Sequence, residues 1–379
     1  MSKVGLLLTG GGARAAYQAG VLRGLSEILD TKRSPFPIIT GISAGAINAA
    51  FMSCYADDFK KGTEGLWNLW ENLKTESIFK TSSFSLTRIG LRWIRDLAFG
   101  GVTGISKSTY LLNASPLAEL LTGKLDFERM EHHCRSGILR GVAFTATNYK
   151  TGTAVSFYDG DESINPWLRT NRIGIREKIR VEHVLASAAI PILFAPVKVG
   201  EVYYGDGCIR MSSPLSPVIH LGADKVFSIG VRFYREPEVT MQLNLESTMD
   251  SISLVDIGGV MLNSIFLDSL DTDLERMERV NRTIRSMTEE QKRNHPNQLR
   301  EIPIYAVRPS TDLGAMASGA FKEFPQSLRY MIRGIGGNHN KGWDLLSYLA
   351  FEGEYTSKLL MLGFDDVMKE RDNVRKFVL

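Results

Sequence analysis

The N-terminal part of the chain repeats one pattern twice. Val4-Gly5-Leu6-Leu7-Leu8 is an unbroken apolar run, and Thr9-Gly10-Gly11-Gly12 interrupts it. Ala13 to Leu29 then sets Ala15, Ala19, Leu22, Leu25, Ile28 and Leu29 at helical spacing. Pro37-Ile38-Ile39-Thr40 is a second short run, followed by Gly41-Ile42-Ser43-Ala44-Gly45 and a small-residue helix over Ala46 to Tyr55. Short continuous apolar runs mark strands covered on both faces. Strand, glycine turn and helix in succession are βαβ units, so the pattern predicts an α/β fold with a parallel sheet.

Further strands are expected at Ile138–Thr145, Ala154–Tyr158, Val202–Tyr204 and Lys225–Gly230, with a hairpin turn around Asn148 to Gly152. Beyond residue 235 the texture changes. Asp268 to Met287 alternates charge with Leu274, Met277, Val280 and Ile284, the mark of a solvated amphipathic helix. Ile302 to Val307 reads as one more strand, and Trp343 to Phe377 reads as helical. The expected organisation is a core over residues 1–235 and a mainly helical extension over 236–379.

Composition narrows the class without choosing a function. The chain has 379 residues, 44% hydrophobic and 23% charged, with 45 Lys+Arg against 42 Asp+Glu. Those proportions exclude disorder, collagen and coiled coil, and the near balance of charge gives no global reason to expect nucleic acid. Cys54, Cys134 and Cys208 form neither a disulfide framework nor a closely spaced metal site, which points to a reducing compartment. No stretch approaches the roughly 20 apolar residues that cross a bilayer. Lys3, the run to Leu8 and Ala13-Arg14-Ala15 imitate a signal peptide, but the run falls short of the roughly 7–15 residues of an h-region. A cytoplasmic protein is expected, peripheral at a membrane at most.

Two glycine-rich turns carry the chemistry. Gly41-Ile42-Ser43-Ala44-Gly45 is a GxSxG pattern between strand and helix, where a strained elbow exposes a serine Oγ. The plainer alternative is that Ser43 caps the helix. Gly10-Gly11-Gly12-Ala13-Arg14 enters the first helix and offers free backbone N–H groups beside the positive helix end, as an oxyanion requires. Arg14 is placed to anchor an anionic head group, to brace the loop, or to form a surface ion pair.

The same loop fits a GxG-x-x-A dinucleotide fingerprint, which would make the protein an oxidoreductase. That fold needs an acid at the end of the second strand, where this chain has Ile39-Thr40-Gly41, and Asp30 comes before the strand begins. None of the six histidines, His132, His133, His183, His220, His295 and His339, has a triad setting. Tyr204-Gly205-Asp206-Gly207 instead puts a carboxylate at a strand end, where it can act as general base if it reaches Ser43. The alternative for Asp206 is a turn aspartate.

Together these motifs resemble the patatin-like phospholipase family of lipid acyl hydrolases. Gly10 to Arg14 matches its oxyanion loop and Gly41 to Gly45 its elbow. Ala186-Ser187-Ala188-Ala189-Ile190-Pro191 matches its ASxxxP segment, and Asp206-Gly207 opens its DG(G/A) motif. The resemblance implies a three-layer α/β/α core with a mostly parallel sheet and a Ser43–Asp206 dyad without histidine. It also implies an oxyanion hole from Gly10, Gly11 and Gly12, and an acyl-ester substrate such as a phospholipid, with no cofactor or metal. Cys208 departs from the third DG(G/A) position, and would strain the loop if that position needed a positive φ. The departure keeps a third reading open, a catalytically weak lipid-binding or scaffold protein. The apolar segment Ile192 to Pro196 is either a wall of the acyl site or plain core. Residues 79–99 read as a basic amphipathic helix, with Leu86, Ile89, Trp93 and Leu97 on one side and Arg88, Arg92 and Arg95 on another. Such a segment suits peripheral membrane contact, or packs on the core as an ordinary surface helix.

Overall fold

The run Val4–Leu8 is a strand, β1, whose alternate residues serve two separate cores. Leu6 and Leu8 join one cluster of buried apolar side chains and Leu7 joins another, as the two-residue period of a strand requires. β2 (Ile38–Ile42) repeats the division, with Ile39 in the first cluster and Ile38 in the second. A sheet buried on both faces needs helices on both, which makes three layers.

The structure is a computed structural model that describes residues 2–82, 87–92, 95, 110–246, 252–295, 299–337 and 342–379. Among these, eight further strands join the sheet: β3 (Gly141–Asn148), β4 (Thr153–Gly160), β5 (Trp167–Arg169), β6 (Arg172–Arg176), β7 (Val197–Val199), β8 (Val202–Asp206), β9 (Lys225–Ile229) and β10 (Ile304–Val307). The main path runs β10-β9-β1-β2-β3-β4-β6-β5. Its centre, from β10 to β3, is parallel throughout. The expected hairpin is the antiparallel β3–β4 pair, closing at Asn148 opposite Thr153. β8 lies antiparallel against the far end of β3, pairing Asp206 with Ala146. That pairing carries the acid of the DG segment toward the end of β2, where the GxSxG turn begins.

Helices α1 (Ala16–Leu29) and α2 (Ala44–Cys54) cover one face, with α3 (Phe59–Glu71) outside them. α2 is rich in alanine and almost wholly buried, because only small side chains let it lie close beneath its neighbours. The Asp268–Arg285 helix covers the opposite face. Leu274 and Met277 pack there as expected, whereas Val280 is exposed and Leu270 and Ile284 complete the buried stripe. Residues beyond 236 also supply β10 at the sheet edge and the helix Gly353–Lys369. Gly20 and Gly363 let that helix cross α1 at backbone contact, against the carbonyls of Leu360 and Tyr17. No helix among the described residues is long and apolar enough to cross a membrane.

Of the basic amphipathic segment expected over 79–99, residues 87–92 are helical, with Ile89 buried and Arg88 exposed. Phe79 is buried against Phe194 instead of continuing that helix. Leu86, Trp93 and Leu97 lie outside the described residues.

Candidate active site

The turn between β2 and α2 forces Ser43 to φ 57° and ψ −132°. A residue with a Cβ reaches this region only at a cost of order 1–3 kcal/mol, a penalty that the surrounding structure must impose. The imposing contacts are visible. Ser43 N–H donates to Ser187 Oγ (3.0 Å), and Ser187 Oγ–H donates to the Thr145 carbonyl on β3 (2.6 Å). Gly45 packs its Cα against the carbonyls of Leu8 and Thr9, leaving no room for a side chain. Ser43 makes no capping bond to α2. Its Oγ–H donates instead to Asp206 Oδ2 at 2.5 Å, so the capping role is not the one it plays.

Asp206 is held from three sides. Its N–H donates to the Ala189 carbonyl (2.8 Å), its carbonyl accepts from Thr147 Oγ1 (2.8 Å), and its Oδ1 accepts from the Cys208 N–H (2.9 Å). Complete burial pushes its carboxyl from the ordinary 3.8 up to about 7, against the pull of hydrogen bonds from Ser43 and Cys208. A carboxyl with such a value gives and takes a proton near neutrality.

Cys208 has no positive φ and lies in the 3-10 turn Gly207–Ile209, so the strain that a Cβ could have caused is absent. Its thiol is buried beside Asp206, which pushes it well up and keeps it protonated. The Gly10 amide is hydrogen-bonded to it, and a Cβ at Gly10 would lie 2.5 Å from Sγ and 2.8 Å from Ser43 Cβ. The glycine loop thus lies directly on the serine. Gly12 opens the 3-10 turn Gly12–Ala15, whose first N–H groups have no intrahelical acceptor. Its φ of 56° and its contact with the Tyr348 carbonyl both demand glycine.

Arg14 is buried. Its Nε–H donates to Ser347 Oγ (2.7 Å), its Nη2–H to Asp344 Oδ1 (3.0 Å), and its guanidinium lies 4.5 Å from the Tyr348 ring centre. These are the contacts of a brace that ties the loop to the helix Trp343–Leu349. They leave the guanidinium occupied by its own chain, not aimed at an anionic head group. Beneath the loop, Gln18 Nε2–H donates to the Thr9 and Ile229 carbonyls, Asn48 Nδ2–H to Gln18 Oε1, and Trp70 Nε1–H to Asn48 Oδ1. This buried polar chain pins the end of β1 to α1, α2 and α3.

A narrow cavity of about 40 Å³ opens on Ser43 and Gly12. Apart from the serine its walls are apolar, among them Ile47, Trp70, Leu117, Ile190 and Phe194. The segment after Pro191 therefore does wall it, through Phe194.

No histidine among the described residues bonds to Ser43 or Asp206. His183 is buried against Phe157, its Nδ1 accepting from the Arg180 N–H (2.9 Å), and burial lowers its pKa. His220 is stacked on Trp167, burial being the main cause that pushes it down to about 4. His339 lies outside the described residues. Among those described, no group of His, Cys, Asp and Glu is arranged to hold a metal ion. Sequence reasoning missed Ser187, although its ASxxxP motif was visible, and it missed Thr147 and the 344–348 segment altogether.

A mostly parallel, helix-covered sheet whose second strand ends in a serine elbow defines the class: an α/β protein of hydrolase architecture. The chain belongs to the patatin-like phospholipase family, whose match spans residues 6–219. No curated protein matches it. Among solved structures it aligns with VipD from Legionella pneumophila at 13% identity and a TM-score of 0.36, covering 98% of this chain and 67% of that one. It aligns with human GIVD cytosolic phospholipase A2 in complex with methyl gamma-linolenyl fluorophosphonate at 14% identity and a TM-score of 0.43. That alignment covers the whole of this chain and 59% of the human one.

Proposed function

We propose that the protein is a serine lipid acyl hydrolase of the phospholipase A or lysophospholipase type. The observation that carries the reading is the 2.5 Å hydrogen bond from a strained Ser43 to a buried Asp206, at the end of an apolar cavity. In this mechanism the Asp206 carboxylate takes the Ser43 proton as Oγ attacks the ester carbonyl. The amides of Gly11 and Gly12 stabilise the oxyanion, while that of Gly10, expected to join them, is bonded to the Cys208 thiol. The tetrahedral intermediate collapses with loss of the alcohol, which receives the proton from Asp206. Water, deprotonated by the same carboxylate, then releases the fatty acid and restores the serine. Each step uses groups of this chain.

Arg14 acts in this scheme as a positioning residue for the glycine loop. The cavity is narrow and, apart from the serine, apolar, which suits an acyl chain.

The test is covalent labelling by a fluorophosphonate probe together with hydrolysis of a lipid panel. Ser43→Ala should abolish both, and Asp206→Asn should reduce turnover by orders of magnitude, with both variants folded. A His→Ala change as damaging as these would overturn the dyad. An unlabelled wild-type serine would favour the lipid-binding alternative.

A further inference from the structure

Many surface arginines of this protein face carboxylates: Arg232 reaches Asp268 at 2.6 Å, Arg300 reaches Asp224 at 2.8 Å, and Arg308 reaches Asp271 at 2.5 Å. Two arginines on one short helix do not. Arg329 and Arg333 lie one turn apart on the helix Gln326–Gly334, and both line a cleft of about 790 Å³ shared with the helical segment 87–92. Among the described residues neither has a carboxylate partner, and no acidic side chain lines the cleft. The Arg333 guanidinium instead lies 5.6 Å from the Phe321 ring centre. The facing segment contributes Thr87, Ile89 and Gly90 to the wall, so the charge of the cleft comes from Arg329 and Arg333. Unpaired guanidinium groups in a concave site fit phosphate, which they bind through charge-assisted hydrogen bonds.

The surroundings of the cleft distinguish a bilayer from a dissolved anion. Tyr330, between the two arginines, is 80% exposed. Just beyond the end of this helix, the Ile335 carbonyl accepts from the Val255 N–H (3.1 Å), which docks it on the helix Leu254–Phe266. There Leu254 (67% exposed), Ile257 and Met261 form an outward apolar stripe at helical spacing. A soluble ion has no use for an exposed apolar helix face docked beside the arginine helix, whereas an interface of lipid head groups and acyl chains does. The cleft also adjoins the candidate active site. Leu111, on its wall, donates its N–H to the Ile192 carbonyl (2.7 Å), and Leu112 donates to Leu193 (2.7 Å), one residue before Phe194 of the acyl cavity. Ile192 is held at a left-handed φ of 67° and is 62% exposed on this path.

We infer that the cleft between segment 87–92 and the helix Gln326–Gly334 binds the phosphate head groups of an anionic bilayer and seats the acyl cavity on it. The inference rests on the acyl-hydrolase reading of Ser43 and Asp206, and it names the physical form in which the substrate is met.

The test uses the full chain carrying Ser43→Ala, so that vesicles stay intact, sedimented with phosphatidylcholine vesicles with or without phosphatidylglycerol. Binding should favour the anionic vesicles. R329Q/R333Q should weaken it about thirtyfold, from ~1 kcal/mol per arginine at an anionic surface and about 1.4 kcal/mol per factor of ten. R279Q/R282Q, whose charges face Glu275 and Glu278, should bind as the parent does. Equal binding by R329Q/R333Q and the parent would overturn the inference. So would complete displacement from vesicles by inorganic phosphate at matched ionic strength, which would mark a site for soluble anions. With Ser43 intact, R329Q/R333Q should hydrolyse a water-soluble short-chain ester at the wild-type rate, and a loss there would overturn a head-group role. A wild-type chain that binds anionic vesicles but cleaves no ester would remove the hydrolase reading alone.

Discussion

Burial keeps Asp206 protonated up to about pH 7, and only the ionised form can accept the Ser43 proton. Ester hydrolysis should therefore rise with pH through a limb centred near 7, measurable as log kcat/KM against pH. The Cys208 thiol donates to this carboxylate and favours its ionised form. Cys208→Ala should leave turnover within a few-fold at pH 9 but move the limb to higher pH. An unmoved limb would mean that the thiol is a spectator. The same burial has a sign for stability. Between the ordinary carboxyl value of 3.8 and about 7 the folded chain binds a proton that the unfolded chain has lost. Stability from this group thus falls as pH rises through that window and levels off above it. Asp206→Asn should melt at a higher temperature than wild type at pH 8, a gap that closes near pH 4, while hydrolysis is lost. At this scale the sequence is informative where a residue announces itself by its neighbours. Ser43 and Asp206 stand between glycines and could be picked out. Ser187 and Thr147 are ordinary residues made important by partners on other strands, and no local pattern marks them.

Turns and helices impose what the residues alone cannot. Gly12 must adopt a left-handed φ with its Cα against the Tyr348 carbonyl, so Gly12→Ala displaces the loop that lies on Ser43. The expected result is a fall in kcat of order 10², the scale of one lost oxyanion donor, with KM changed little. One layer down, Gln18→Leu removes the group that holds the Thr9 carbonyl and the Asn48 amide. Leaving such buried groups unsatisfied costs roughly 1–3 kcal/mol each, readable as a lower midpoint in urea. Strands β1 and β2 and their helices are legible because apolar runs and glycine breaks are local signals. The Gln18–Asn48–Trp70 chain is not, since polar residues inside helical periods look like solvent-facing positions until the helices are packed.

Across the whole molecule, the packing of the distant helix Gly353–Lys369 on α1 depends on two close backbone approaches. Gly363→Val would drive a side chain into the Tyr17 carbonyl on the helix that follows the glycine loop. It should lower the unfolding midpoint and ester hydrolysis together, whereas Met361→Ala on the exposed side of the same helix should change neither. Composition and periodicity foresee that the C-terminal part is helical. They carry no sign that Asp344, Ser347 and Tyr348 clasp Arg14, because a contact across 330 residues leaves no periodic trace.

That clasp orders events during synthesis. The loop, the serine and the acid all emerge from the ribosome before residue 344, ahead of the groups that clasp Arg14. A nascent chain would carry Gly10 to Arg14 with the Arg14 guanidinium unclasped until the helix Trp343–Leu349 has followed it out.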